Sequence, residues 1–435
     1  MTKFRGVKVG QLGDIITGKT PKTSIKENYG SDYMFIGPTD LHKHFIITNS
    51  EKYISKLGFN SIKNNTISGL SILVGCIGWD MGNVALVDKK CATNQQINSI
   101  TNINEGFDPY YIYYWFKGKK AYLFKISNVT RTPMLNKTDF SDITIQIPNF
   151  TTQKQIAKVL SDLDAKIEVN NKINAELEAM AKLIYDYWFV QFDFPFDFAQ
   201  GKPDPKGKPY KSSGGKMVYN KELKREIPEG WEVKELSEVS EIKAGGDKPK
   251  SLTKEKTKEN NIPIYSNGIS NEGLYGYTNN AKIEKESITV SARGTIGYCV
   301  LRLKPFVPII RLLSVTPNDS NEIKYLFESI KNLVFENSGS VQQQLTVPQI
   351  SKLKIISPPT YLINKYQSLA RPGLDTIEIN KNQNQELSEL RDWLLPMLMN
   401  GQVTVANEEL GITNAELGND LGMVAEENAT KYGEN

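Results

Sequence analysis

The sequence predicts an α+β protein in which one plan is used twice: a strand-rich domain and a long helix, then a similar domain and a similar helix, with the two helices paired. Three observations predict this. Between Gln153 and Trp188, alternating steps of four and three pick out Ile156, Leu160, Leu163, Ile167, Asn170, Asn174, Leu177, Ala181, Ile184 and Trp188 as one seam of a long helix. The seam recurs 210 positions later as Tyr366, Ala370, Gly373, Ile377, Asn380, Asn384, Leu387, Arg391, Leu394 and Leu398, with both asparagines in place. The segments before the helices also share a framework: Val9, Leu12 and Ile15 match Val233, Leu236 and Val239; Ser71, Ile72 and Val74 match Ser287, Ile288 and Val290; Leu135, Ile145 and Pro148 match Leu345, Ile355 and Pro358. A seam asparagine costs stability but fixes register, because a slid partner leaves its amide unpaired against apolar side chains. Two in the same place twice predict that these helices pair with each other.

Composition sets the class. At 435 residues the chain predicts two or three domains, and 39% hydrophobic with 23% charged residues is the balance of a soluble protein. No run approaches the length of an apolar membrane span, and the start, MTKFRGVKVGQLGDII, lacks the apolar stretch of a signal peptide; a cytoplasmic protein with no membrane partner is expected. Cys76, Cys91 and Cys299 are odd in number and far apart, against a disulfide framework or a four-cysteine zinc site. From Gly401 onward seven acids face one base, Lys431, which puts −6 on the tail and +10 on the rest of a chain of net charge +4. A mildly basic body permits a polyanion partner without demanding one.

Taken in order, residues 1–150 form the first domain. Tyr33–Phe35, Ser71–Val74 and Ile143–Ile147 read as strands between Gly, Asn and Pro clusters, and a Tyr-rich helix is expected from Pro109 to Lys120. A helix follows over 151–190, with Thr151 or Thr152 as its N-cap. Over 191–221, Phe192, Phe194, Phe196 and Phe198 alternate before Gly, Pro, Lys and Ser take over. The prolines argue against a central strand, so this segment reads as a docking arm that becomes a flexible linker. Residues 222–358 repeat the first domain with different loops: ARGTIGY stands in place of WDMGN, and GSVQQQLTV in place of VTRTPMLNK. The second helix spans 359–400, where Arg371-Pro372-Gly373 predicts a kink, or a regular helix that starts only near Leu374. The acidic tail, 401–435, has little to bury and is expected to be loosely ordered.

No catalytic machinery is legible. There is no G-x-x-x-x-G-K-[ST] phosphate loop and no G-x-S-x-G elbow, and His42 and His44 are too few for a His-rich metal centre, so no metal site is assigned. Phe107-Asp108-Pro109-Tyr110-Tyr111 looks like the Asp-Pro-Pro-Tyr motif of adenine methyltransferases but lacks its second proline and any preceding glycine-rich loop; a plain helix start explains it better. Tyr110, Tyr111, Tyr113, Tyr114 and Trp115 read as core rather than as a base-stacking platform. The remaining candidates are polar loops. Lys19, Thr20 and Lys22 follow a glycine, and Lys248 and Lys250 follow the equivalent glycine pair. Asn94, Gln95 and Gln96 form one amide cluster and Gln342, Gln343 and Gln344 another, with Arg131, Lys137 and Arg293 in neighbouring variable loops. Amides and arginines can read base edges by paired hydrogen bonds, whereas lysines meet phosphates without reading sequence.

In its order of parts the chain resembles the specificity subunits of type I restriction-modification systems. The resemblance runs from about residue 5 to 400 and rests on the twofold repeat, on Ile145–Pro148 before Gln153-Lys154-Gln155-Ile156, and on REIPEGWEVKELSEV at Arg225–Val239; Tyr361–Tyr366 departs from the family's helix-start pattern. It implies a non-catalytic subunit whose two target recognition domains each read half of a bipartite site in double-stranded DNA. It further implies an antiparallel intramolecular coiled coil that sets the spacing and docks two methyltransferase (modification) subunits, with restriction/translocase subunits completing the complex. S-adenosylmethionine, ATP and magnesium would belong to those partners, and no cofactor to this chain. Antiparallel pairing about Lys172 would set Asn170 against Asn384 and Asn174 against Asn380, with the domains at opposite ends. At ~1.5 Å per residue the seam is roughly 48 Å long, against about 34 to 36 Å for one DNA turn, so a gap should separate the half-sites. The alternative is a coiled-coil adaptor that binds proteins and not DNA.

Overall fold

The structure is a computed structural model and describes residues 4–42, 45–79, 81–127, 132–199, 201–204, 206–333 and 344–405. The chain divides into two compact units, Met1–Glu168 with Glu386–Asn435, and Val169–Gln385. The division falls inside both long helices, Phe150–Tyr185 and Thr360–Met399, so each unit holds a share of both.

Among the described residues the first unit contains three sheets, the smallest being the antiparallel pair Arg5–Lys8 and Thr144–Ile147. A five-stranded sheet runs Asp14–Thr17, Ile97–Thr101, Ser71–Gly75, Val84–Val87, Ile46–Ile47, antiparallel except at its last pair. The four-stranded sheet orders Lys52–Ile54, Tyr29–Ile36, Cys91–Thr93 and Thr66–Ile67, with a parallel pair at Met34 and Cys91. Ser71–Gly75 is buried along its whole length because both of its faces are covered. Ile72 and Val74 join Tyr111, Tyr114 and Phe116 of the helix Pro109–Lys117, while Leu73 faces Met34 and Ile36, the period-two division of a pleated strand. That helix starts where Asp108 Oδ1 accepts a hydrogen bond from Tyr111 N (2.9 Å) and Pro109 occupies the first turn.

The first long helix starts two to three residues earlier than the threonine caps predict. Asn149 Oδ1 accepts from Thr152 N (2.9 Å), so the cap is an asparagine, which serves that role as well as threonine. Gln153 is fully buried; its Oε1 accepts from Asp108 N (2.9 Å) and its Nε2 donates to the Pro148 carbonyl (2.9 Å), tying the two helix starts together.

The second unit repeats this plan. Its four-stranded sheet orders Ser240–Ala244, Leu313–Pro317, Ser287–Val290 and Cys299–Arg302, and its three-stranded sheet orders Leu274–Thr278, Ile262–Tyr265 and Val307–Pro308, again with a parallel pair, at Ile264 and Val307. A buried hydroxyl pair recurs as well: Ser71 Oγ with Thr101 Oγ1 (3.0 Å), and Ser287 Oγ with Thr316 Oγ1 (2.8 Å). One matched set must be corrected. Val9 N donates to the Ile143 carbonyl and Leu236 N to the Leu353 carbonyl, both at 2.9 Å, so Val9 corresponds to Leu236 rather than Val233. Likewise Ile15 pairs with Ile100 and Ile242 with Val315, which makes Ile242 the counterpart of Ile15. Apolar residues every third position, from Val233 to Ile242, allow the pattern to slip by three without losing a match.

Three further expectations are overturned. Pro195–Asp197 is the middle strand of a three-stranded sheet between Lys202–Pro203 and Lys208–Pro209. The pairings are only two residues long, and the Pro195 carbonyl still accepts from Asp204 N (3.1 Å), so the missing N–H removes little. Nor does the arm dissolve into a flexible linker. Tyr210 is buried, its ring stacks on Phe194 (centroids 4.7 Å apart), and Ser212 N donates to Asp193 Oδ1 (2.7 Å). The second long helix also shows no late start: it is regular from Thr360 through Arg371-Pro372-Gly373. Leu362, Ile363, Tyr366 and Ala370 bury the first turns, and Pro372 and Ser368 lie on the exposed face, where water can serve the carbonyl that proline leaves without a donor.

The helices pair antiparallel. In the second unit Asn170 Nδ2 donates to Asn384 Oδ1 (2.9 Å) and Asn380 Nδ2 to Asn174 Oδ1 (2.8 Å), with Gln383 and Asn171 extending the amide chain. Ile377 and Asn380 are buried there, and Leu177 is half-buried. In the first unit Ile156 and Leu160 are buried in one cluster with Leu395 and Leu398; Leu163, Ile167, Leu387 and Leu394 are half-buried.

Candidate nucleic-acid interface

In the first unit, loops at one end of the larger sheet are drawn together by backbone contacts. Gly18 is the pivot, since a Cβ there would stand 2.1 Å from the Asn94 carbonyl oxygen. Gly18 N donates to the Ile97 carbonyl (3.0 Å) and Lys19 N to that of Thr93 (2.9 Å). The loop of Lys19, Thr20 and Lys22 therefore lies beside the amide cluster, where Thr20 Oγ1 donates to Gln95 Oε1 (2.7 Å). Lys19, Lys22 and Gln95 are exposed; Asn94 is committed internally, donating to Gln96 Oε1 (3.0 Å). Two more loops join. Cys76 N donates to the Gln96 carbonyl (2.7 Å), Gly78 N to the Pro133 carbonyl (2.9 Å) and Leu135 N to the Cys76 carbonyl (2.9 Å). Lys137 follows, exposed, at the start of the helix Lys137–Asp142, while Arg131 lies outside the described residues. The same junction presents Trp79, 72% exposed, which the sequence reading passed over although it opens the variable WDMGN loop.

In the second unit Gly245 takes the place of Gly18: its N–H donates to the Leu312 carbonyl (2.8 Å), and a Cβ would stand 2.7 Å from Pro308 backbone carbon. Lys248 and Lys250 are exposed on the loop that follows. Lys248 donates to the Tyr275 hydroxyl and sits 4.5 Å from its ring centroid, with Lys254 4.4 Å from the same ring. This hydrogen bond pulls the hydroxyl below the usual tyrosine pKa. Arg293, exposed, donates from Nη2 to Gln344 Oε1 (2.7 Å), and beside it Leu345 N donates to the Ala292 carbonyl (2.9 Å), as Leu135 does to Cys76. Gln342 and Gln343 lie outside the described residues.

The two amide clusters are not counterparts. Matching Ile97 with Leu312 puts Asn94, Gln95 and Gln96 opposite Ile309, Ile310 and Arg311, and Gln344 opposite Met134. Ile310 and Arg311 are exposed with φ of +52° and +59°, and were missed because nothing in PIIRLL marks a turn. In the Tyr-rich helix, Tyr111, Tyr113, Tyr114 and Trp115 are buried and offer no stacking surface. Burial pushes the Cys76 thiol up to about 12, so it is no nucleophile at neutral pH. Among the described residues no cluster of three His, Cys, Asp or Glu is placed to hold a metal; His42 meets Asn83, and His44 lies outside them. Among the same residues no helix is long and apolar enough to cross a membrane.

Two copies of one scaffold each present their own set of cationic, amide and aromatic side chains on converging loops. A family model for the type I restriction-modification DNA specificity domain matches residues 1–179 and 228–389. The chain belongs to that family. It is 28% identical over 425 residues to a type I restriction enzyme specificity subunit of Methanocaldococcus jannaschii, covering 93% of this chain and 94% of the relative. It is also 25% identical over 328 residues to a specificity subunit of Haemophilus influenzae, covering 62% and 71%. The crystal structure of a type I restriction-modification S subunit from M. genitalium shares the fold at TM-score 0.57 and 15% identity, over 91% of this chain and 96% of the other.

Proposed function

We infer that this chain is the DNA sequence-recognition subunit of a type I restriction-modification complex, with each unit reading one half of a bipartite site. One observation carries the reading: a single specificity-domain model matches both halves, while the loops anchored at Gly18 and Gly245 carry different side chains on the same scaffold. Shared framework with divergent loops is the arrangement expected of two readers of different sequences. Lys19, Lys22, Lys137, Lys248 and Lys250 are assigned to phosphates, and Gln95, Arg293 and Gln344 to base edges, where amides and guanidinium groups make paired hydrogen bonds. The chain itself is assigned no catalytic step and no cofactor. S-adenosylmethionine, ATP and magnesium are assigned to modification and restriction subunits docked on it.

The test is to express the chain with its modification subunit and to sequence the methylated adenines. Two short fixed tracts separated by a constant unread gap are expected. A methylation pattern that does not depend on this chain, together with no protection of duplex DNA, would leave the adaptor reading in its place.

A further inference from the structure

The repeat is broken at one interior position of the second unit. In the first unit the Asp164 carboxylate is fully partnered: Tyr114 donates to Oδ2 (2.7 Å), Lys117 Nζ approaches the same oxygen (3.2 Å), and Arg391 donates to Oδ1. The helix equivalent to that of Tyr114 is Ile323–Lys331. Its alignment is fixed by Tyr111 and Tyr325, whose hydroxyls donate to the matched carbonyls of Gln146 and Ile356. Glu328 therefore stands at the position of Tyr114 and Lys331 at that of Lys117. The helix repeat puts Leu374 at the position of Asp164 and Ala181 at that of Arg391. The carboxylate has moved to the short helix, and the guanidinium that served it has no counterpart.

What lies there is a cavity of about 550 Å³ whose wall includes Glu328, Lys331, Phe327, Leu374 and Ile377. Glu328 is 2% exposed and its Oε1 accepts from Lys324 Nζ (2.5 Å), but Oε2 is buried with no hydrogen-bond partner. A buried acceptor left without a hydrogen bond is costly, and more so when it is charged. Of the other charged groups on its wall, Lys182 pairs with Asp186 (2.5 Å), Lys381 with Glu272 (2.6 Å) and Glu378 with Lys304 (2.7 Å), while the Lys324 and Lys331 ammonium groups stand 4.8 and 5.5 Å from the Phe327 ring centroid.

We propose that this cavity is a binding site for an alkyl cation, a guanidinium or primary ammonium on an aliphatic stem, whose N–H groups bond Glu328 Oε2 while its stem packs on Phe327, Leu374 and Ile377. The ligand does for Glu328 what Arg391 does for Asp164. Two sources carry this chemistry, a free small cation or a basic side chain of a docked protein.

The experiment is calorimetric titration of the full chain with n-butylguanidinium, with N-butylurea as the uncharged probe of the same shape. Saturable binding of the cation and none of the urea is expected, and Glu328→Gln should weaken it by about tenfold or more. Because Glu328→Gln also disturbs the Lys324 pair, Ala179→Trp at the rim serves as the second variant; it leaves that pair alone and should abolish binding. Equal binding of the urea, no saturable binding of the cation, or cation binding that survives Ala179→Trp in a folded protein overturns the proposal. Repeating the titration with the modification subunit bound separates the sources: lost binding identifies a side chain of that subunit, and retained binding a free cation.

Discussion

At the scale of single residues, Gly18 and Gly245 decide where the loops lie, and under the proposed function the side chains around them decide what is read. Arg293 and Lys248 are expected to behave differently for that reason. Arg293→Ala removes a guanidinium held by Gln344 in the loop cluster and should cost about 1–3 kcal/mol of DNA affinity while relaxing specificity in one half-site. Lys248→Ala should weaken binding to all sequences alike and lower the salt-dependence slope by about one. Binding isotherms across a salt series on wild-type and scrambled half-sites distinguish them, and an Arg293→Ala effect spread evenly over all sequences would remove Arg293 from base reading. Gln95 was legible as a candidate because three amides stand together in the sequence. Trp79, Ile310 and Arg311 were not, because their exposure follows from the turns around them and not from their own type.

At the scale of elements, the paired helices carry the clearest energetic signatures. Asn174 and Asn380 bond each other inside the seam, so Asn174→Leu alone should destabilise by about 1–3 kcal/mol by stranding the Asn380 amide. Adding Asn380→Leu should recover most of that loss, and a double-mutant cycle by urea unfolding reads the coupling directly. Asp164 is a harsher site. It is 5% exposed and serves Tyr114, Lys117 and Arg391, so Asp164→Ala should cost about 3–5 kcal/mol. Lys158→Ala, which removes an exposed pair with Asp162 on the same helix, should stay within about 0.5 kcal/mol. Equal losses in the two would show that Asp164 is not the buried hub it is taken for. The seam, its asparagines and the pairing partner were readable because periodicity is a local property of sequence. The effect of Pro372 was misread because the cost of a proline depends on which face of the helix it occupies, and the neighbouring fold sets that face.

At the scale of the whole molecule, two readers on one chain should be separable. Exchanging residues 340–347 for those of another specificity subunit should change one half of the methylated site and leave the other intact, as should exchanging 129–137 for the other half. Adding seven residues to each long helix should widen the gap between half-sites without altering either. Sequencing the methylated adenines tests all three, and a change in both halves from one exchange would refute independent readers.

By itself the sequence determined the twofold plan, the long helices, their asparagine register and the loops that carry polar residues, all of which are written in spacing and residue type. Tertiary structure alone decided that Val9 answers Leu236, that Ile309–Arg311 and not the glutamine run answers Asn94–Gln96, and that Tyr210 folds the arm back on Phe194. It alone also showed that Glu328 stands in the place of Tyr114 with one oxygen unserved. The physical reason is common to these cases. Spacing survives in a chain of letters, whereas equivalence between loops, burial of a carboxylate and packing of a ring depend on which distant backbone groups hydrogen-bond, and that is settled only when the sheets close.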